Sequence, residues 1–320
     1  MNRFLVFIVL LLLTACTSQT EVIPTATPIT QAIVEQAVEL PTATATPEPT
    51  NTFTPEPTAT PTYTPTPTTT PTKMPTLTSS PTPDSGPEHL EIGRSVEDKP
   101  ILAVRFGYGS YVIVLIGGLH GGFAPASVQI AERTSDYFTE NLAVIPEDVT
   151  VYVIPNANPD TPFSPGNLAG RLNTNGVDLN RNWDCRWTRD ARFRDEIIPG
   201  IGGSAPFSEP ETQALRTFLE DVTPTAIVFW EAKYPDGLVS PGRCHGRSEM
   251  SFQLAERYGN AAQYHIDDFE SDTGQILNGD GANWLDSQGF PAVAVMLPDY
   301  QNTDWDQNLQ GVLAVMNAGQ

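Results

Sequence analysis

The rhythm of apolar and polar positions changes twice along this chain. Residues 4–13 are almost all apolar, and residues 17–87 follow with one stretch of helical character, Ile33 to Leu40, too short to form a helix alone. From Glu88 onward, short apolar runs alternate with helical repeats. Ile101 to Arg105, Tyr111 to Ile116 and Val149 to Ile154 are rich in Val and Ile and predict strands. Gly117 and Gly118 end the second of these runs. Ile130, Ala131, Thr134, Tyr137, Phe138 and Leu142 recur at helical spacing. Ser208-Glu209-Pro210-Glu211 predicts a capping-box helix start, and Ala214, Leu215, Phe218 and Leu219 continue one apolar face. Ala226 to Trp230 predicts a strand, Ser251 to Tyr258 a helix, and Pro291 to Leu297 a strand almost free of polar residues. Continuous apolar strands alternating with helices predict an α/β class domain, a single-domain, mixed, mostly parallel sheet with helices on both faces. Functional residues in such sheets lie beyond the carboxyl ends of the strands. That rule directs attention to His120, to Asn158 through Asp160, to Glu231 and to Met296 through Asp299.

Composition sharpens the organisation. The tract 17–87 holds 15 of the 30 prolines in Thr-Pro repeats such as TPTYTPTPTTTPT, so it cannot bury enough apolar surface to fold and is expected to be a semi-rigid spacer. Arg3, the apolar run 4–13 and Leu13-Thr14-Ala15-Cys16 resemble a bacterial lipoprotein signal, with Cys16 as the lipidated residue. An ordinary cleaved signal with a chance cysteine is the alternative. The expected division is a signal peptide with lipobox at 1–16, a disordered linker at 17–87 and one domain at 88–320. The chain is then exported, anchored to the cell membrane through its N-terminal lipid, with the domain outside.

The net charge of -21 leaves no basic stripe for phosphates, so nucleic acid is excluded as a partner. Cys185 and Cys244 are an even pair in an exported chain and predict a disulfide, against the alternative of two buried thiols.

Six segments carry a family resemblance: IGRSVEDKPILAVRFG (92–107), GGLHGG (117–122), IPNANPD (154–160), RLNTNGVDLNRNW (171–183), GSAPFSEPET (203–212) and TGQILNGDGANWLDSQGFPAVAVMLP (273–298). In this order they resemble the zinc carboxypeptidase family of the carboxypeptidase A and B type, across nearly the whole domain. The resemblance implies that fold, a zinc cofactor and peptide hydrolysis. It implies His120 as the first metal ligand, but the glutamate expected three residues on is Phe123. No histidine stands in 228–242 for the third ligand; Glu231 is the nearest candidate, and His245 lies 14 residues beyond it. The general base falls on Met296, a thioether that takes no proton, with Asp299 three residues further on. The family's mobile tyrosine falls on Phe269. Arg171 resembles the residue that polarises the scissile carbonyl, and Asn180 with Arg181 the pair that grips the terminal carboxylate. Plainer roles stand beside these: Asn180 holding its own loop, Arg181 paired with Asp178 or Asp184, and Glu231 as an ordinary solvated or ion-paired carboxylate.

The reading that follows is a membrane-anchored domain whose zinc is expected to be lost, and which binds the C-terminus of a peptide or cell-wall peptide. An active metallocarboxypeptidase with an altered metal site and a structural protein-interaction module are the alternatives.

Overall fold

The structure, a computed structural model, describes residues 86–319; the predicted signal peptide, Cys16 and the Thr/Pro-rich tract lie outside the described residues. The strands are β1 (Glu88–Arg94), β2 (Pro100–Phe106), β3 (Tyr111–Ile116), β4 (Val149–Ile154), β5 (Ala191–Phe193), β6 (Glu196–Ile198), β7 (Ala226–Ala232), β8 (Leu238–Pro241), β9 (His265–Ile266) and β10 (Ala292–Leu297). The helices are α1 (Pro125–Glu140), α2 (Pro210–Val222), α3 (Glu249–Ala262), α4 (Phe269–Thr273), α5 (Gly281–Ser287) and α6 (Trp305–Met316). Eight strands make one sheet in the order β1-β2-β4-β3-β7-β10-β8-β9, and β5-β6 is a separate hairpin. The four central strands, β4, β3, β7 and β10, are mutually parallel, whereas β1-β2, β2-β4 and β8-β10 pair antiparallel. This is the mixed, mostly parallel α/β sheet that the apolar runs predict.

Both sheet faces are covered, as continuous apolar strands require. Along β7, Val228 and Trp230 pack with Ile130 of α1, Leu254 of α3 and Val312 of α6. Ile227 and Phe229 pack on the other face with Leu215 of α2, Leu285 of α5 and Trp183. Side chains alternate along a strand, so Glu231 continues the row of Ile227 and Phe229. Met296 is its register partner on β10. The chain leaves β3 toward β4 on one side and reaches β7 on the other. The crevice at this switch point is where α/β sheets hold ligands.

The start of α2 departs from the predicted capping box. Glu209, not Ser208, is the residue before the helix, with Pro210 in the first turn and no side-chain cap. The carboxylates instead go inward. Asn173 Nδ2 donates to Glu209 Oε2 at 2.8 Å and to Glu211 Oε2 at 3.1 Å. Ser208 Oγ, Asn175 Nδ2 and the Val96 amide occupy the remaining acceptor positions. Tertiary side-chain contacts thus won over local capping.

Candidate functional site

His120 is set by the turn that follows β3. Gly118 in that turn has φ of +66°, and a Cβ there would stand 2.5 Å from Asn156 Oδ1, so only glycine lets the loop turn in this way. His120 is buried, and its Nε2 lies 2.8 Å from Asp178 Oδ1. An ionised carboxylate only accepts, so the ring nitrogen donates. Its Nδ1 faces Glu231 Oε2 at 3.5 Å.

A bridge between Leu172 and Asp178 folds the 171–181 segment back on itself. Arg171 thereby places Nε 2.6 Å from Asp178 Oδ2 and a terminal nitrogen 3.4 Å from Oδ1. Asp178 also caps the 3₁₀ turn Leu179–Arg181 through the Asn180 amide. Burial opposes the charge of Asp178, but Arg171 and then His120 outweigh it and hold the carboxyl well below the usual range. Asp178 is therefore the partner of Arg171 and His120; neither it nor Asp184 forms an ion pair with Arg181.

Asn180 Nδ2 donates to Glu231 Oε1 at 2.9 Å and to Asp280 Oδ2 at 2.8 Å, and its Oδ1 accepts from the Gly281 amide at 2.8 Å. Asp280 caps α5 through the Asn283 amide. Gly279 before it has φ of +67°, and a Cβ there would meet Arg181 O at 2.2 Å, so the two backbones touch. Burial, followed by the charge of Glu231, pushes Asp280 up to about 6. Burial likewise opposes the charge of Glu231, but His120, Arg171 and Arg181 together hold its carboxyl below the ordinary value.

Arg181 is 6% exposed. Its Nε donates to Arg192 O at 2.9 Å and its Nη1 to Asn180 O at 2.6 Å. No carboxylate lies within ion-pair distance of it among the described residues. Burial draws its pKa below the ordinary arginine value, against the more distant charges of Asp178, Asp280 and Glu231.

Arg171, Asn180, Arg181, Glu231 and Asp280 line one cleft of about 380 Å³. Phe123, Met296 and Phe269 line it too. The Phe123 ring is 4.8 Å from that of Tyr300 and 5.2 Å from the Arg171 guanidinium. His245 is exposed and Asp299 accepts from the Gln301 and Asn302 amides of its own loop; neither lines the cleft. Asp160 accepts from Ser95 Oγ and the Glu97 amide, and Asn158 donates to Leu119 O, so both tie loops together. The Cys185–Cys244 disulfide forms, with Cα atoms 5.6 Å apart. It brackets the Asp280 segment, since Cys185 O accepts from Gly279 and the Arg243 amide donates to Asn283 Oδ1.

The sequence profile described as zinc carboxypeptidase matches residues 87–272, more than half of the chain. The chain belongs to the zinc carboxypeptidase family. Zinc carboxypeptidase A 1 of Anopheles gambiae is 31% identical over 42% of this chain and 34% of its own length. Murein peptide amidase A of Escherichia coli K12 is 39% identical over 19% of this chain and 28% of its own. The chain thus spans about a third or less of these relatives. In fold it is similar to bovine thrombin-activatable fibrinolysis inhibitor in complex with tick carboxypeptidase inhibitor. The TM-score is 0.59 and the identity 16%, over 72% of this chain and 90% of that one.

Membership in the zinc carboxypeptidase family raises the question of whether these residues suit a zinc ion. Donors bound to one tetrahedral zinc stand roughly 3.3–3.5 Å apart. The 3.5 Å between His120 Nδ1 and Glu231 Oε2 suits two such ligands. A catalytic zinc takes three from the protein. Among the described residues, no third His, Cys, Asp or Glu donor joins these two at ligand spacing, and Phe123 offers none. The set does not complete a catalytic zinc site. Asp280 is the cleft residue that sequence reasoning passed over: in NGDGANW it reads as a turn.

Proposed function

We propose that this domain binds the free carboxyl end of a peptide in the cleft and does not hydrolyse it. The observation that carries the reading is Arg181, a buried guanidinium that lines the cleft without a carboxylate partner. Leaving a charge buried and unpaired is costly, and a ligand carboxylate supplies the missing counter-charge in the fork geometry that arginine favours. Arg171 stands on the same wall, fixed by Asp178. The hydrolytic parts are what the cleft lacks. Phe123 and Met296 stand where the family resemblance calls for a ligand and a base, and a missing general base alone removes about 10²–10⁴-fold in rate. Zinc is accordingly read as lost.

The ligands are read as extracellular or cell-wall peptides, a choice supported by the similarity to a murein peptide amidase. The chain is read as exported and held at the membrane by lipid on Cys16, on the strength of the 4–13 apolar run and the LTAC sequence. Loss of labelled-lipid incorporation in Cys16→Ser checks the anchor.

Titration calorimetry of the full chain with one peptide, in free-acid and amidated forms, tests the binding reading. Binding of the free acid only is expected, weakened in Arg181→Lys and abolished in Arg181→Ala. Equal binding of both forms overturns it. The His120–Glu231 spacing favours one second reading, an active metallocarboxypeptidase with an altered metal site. One tight zinc per chain, together with release of C-terminal residues, would establish that instead.

A further inference from the structure

Charge is spread unevenly between the cleft and the rest of the domain. Residues 88–320 hold 32 acidic and 15 basic side chains. The cleft reverses that balance: Arg171, Arg181, Arg194 and Lys233 line it, against Glu231 and Asp280 alone. A cleft of one sign set in a surface of the other draws in ligands of opposite charge. Asp178 engages Arg171, and the carboxyl end proposed above takes Arg181. Arg194 and Lys233 are left over.

These two cations are held at one corner, by groups that do not neutralise them. Arg194 Nη2 donates to Gly166 O at 2.8 Å, and its guanidinium carbon lies 5.0 Å from the centroid of the Phe193 ring. Lys233 Nζ lies 5.3 Å from the centroid of Tyr300. Gly166 joins the two. A Cβ on it would stand 2.8 Å from Tyr300 Cε2, so the residue whose carbonyl takes Arg194 packs on the ring that takes Lys233. Neither cation lies within ion-pair distance of a carboxylate among the described residues. Aromatic faces and a carbonyl fix the place of a cation and leave its charge. Arg194 also has φ of +54° in the two-residue turn between β5 and β6. That conformation favours glycine or asparagine, so the turn keeps an arginine against its backbone preference.

We propose that Lys233 and Arg194 form a second anion site, which takes the acidic side chain of a residue upstream of the ligand's C-terminus. The inference rests on the carboxylate-binding reading above and narrows its ligand to peptides that carry two carboxylates. The acid belongs upstream rather than on the terminal residue, because Glu231 and Asp280 are grouped with Arg181 around Asn180. An acidic side chain on the terminal residue would add to their charge, whereas one at the Tyr300 corner faces two cations. Both cations are exposed, so an extended ligand meets them as it leaves the cleft.

Calorimetry on the full chain tests this with acetylated tripeptides. Acetyl-Glu-Ala-Leu and acetyl-Ala-Glu-Leu are each compared with the glutamine form, as the free acid and as the C-terminal amide. At least one glutamate peptide is expected to bind about 5- to 10-fold more tightly than its glutamine form, the range for a charge-assisted contact at a partly exposed site. Added salt should shrink that preference. In Lys233→Met, and separately in Arg194→Gln, it should fall toward one, and in Lys233→Glu it should turn in favour of glutamine. Equal binding of the glutamate and glutamine forms overturns the inference and leaves the carboxylate-binding reading standing. A glutamate preference untouched by all three variants overturns it as well. Amides that bind as tightly as the free acids, with the glutamate preference intact, overturn the carboxyl-end reading and keep the second site. Binding of none of the peptides overturns both.

Discussion

Asn173 and Asn180 each turn one amide nitrogen toward two buried carboxylates, and the two clusters end differently. Around Asn173, the other oxygens of Glu209 and Glu211 take Ser208 Oγ and the Val96 amide, so the network closes within the protein. Around Asn180, Glu231 Oε2 meets only a ring nitrogen at 3.5 Å, and the group lines a cleft. The same chemical device therefore serves two ends. A closed network joins the β1–β2 turn, the Asn173 loop and α2, whereas the open one leaves Glu231 Oε2 without a short hydrogen bond at the wall of the cleft. Burial alone does not distinguish a structural carboxylate from a receiving one; the completeness of its partners does.

The strongest way to break the comparison is to remove the disulfide, which touches only the open cluster. Cys185 and Cys244 close a loop with a sequence separation of 59. On the chain-entropy account the double Cys→Ala variant should lose about 4 kcal/mol of stability. Urea unfolding measures that loss. Hydrogen exchange should quicken more at the Asn180 and Gly281 amides than at Val96; equal quickening at all three would erase the distinction.

Asn173→Ala comes next. It strands two buried carboxylates without their shared donor, at a cost of about 3 kcal/mol. A loss under about 1 kcal/mol in the same assay would mean that the cluster is not closed as described. Asn180→Ala should cost less, about 1.5 kcal/mol, because water in the cleft can solvate Glu231 and Asp280. Its ligand affinity should suffer more than its stability. If it destabilises as much as Asn173→Ala, the open cluster is structural after all.

The smallest effect is a pH slope. Burial, above all, holds Glu211 above its ordinary value of 4.5. The native state then binds that proton more tightly than the unfolded chain. The contribution is fully present below 4.5 and is lost as pH rises through the raised value. Thermal melts across this window should show part of the slope vanish in Glu211→Gln; an unchanged slope would show that Glu211 is charged throughout.

The central strands were legible because they are buried on both faces: Tyr111 to Ile116 and Val149 to Ile154 are apolar throughout except for Thr150, and the structure keeps those bounds. The predicted Ala226–Trp230 strand stops short of Ala232 because a glutamate reads as an end. Glu231 pairs with Met296 in the strand, and Asn180 and His120 meet its buried carboxylate. The short strands β8 and β9 and the β5–β6 hairpin carry too little period to be read. His120, Arg171, Asn180, Arg181 and Glu231 were found through motif and strand-end position, and all but His120 line the cleft. The role of Asp280 depends on residues about a hundred positions away, and no local pattern encodes it.

The register of β7 and β10 has a consequence for the history of the cleft. Met296 stands beside Glu231 on adjacent parallel strands, on the same face. A carboxylate arriving at 296 while Glu231 is in place would set two acidic groups side by side, and both could not ionise freely. A histidine arriving at 231 would give up the carboxylate that Asn180 now clasps. Either change alone disturbs a contact that the present cleft makes, so positions 231 and 296 are coupled, and a charge introduced at one is answered at the other.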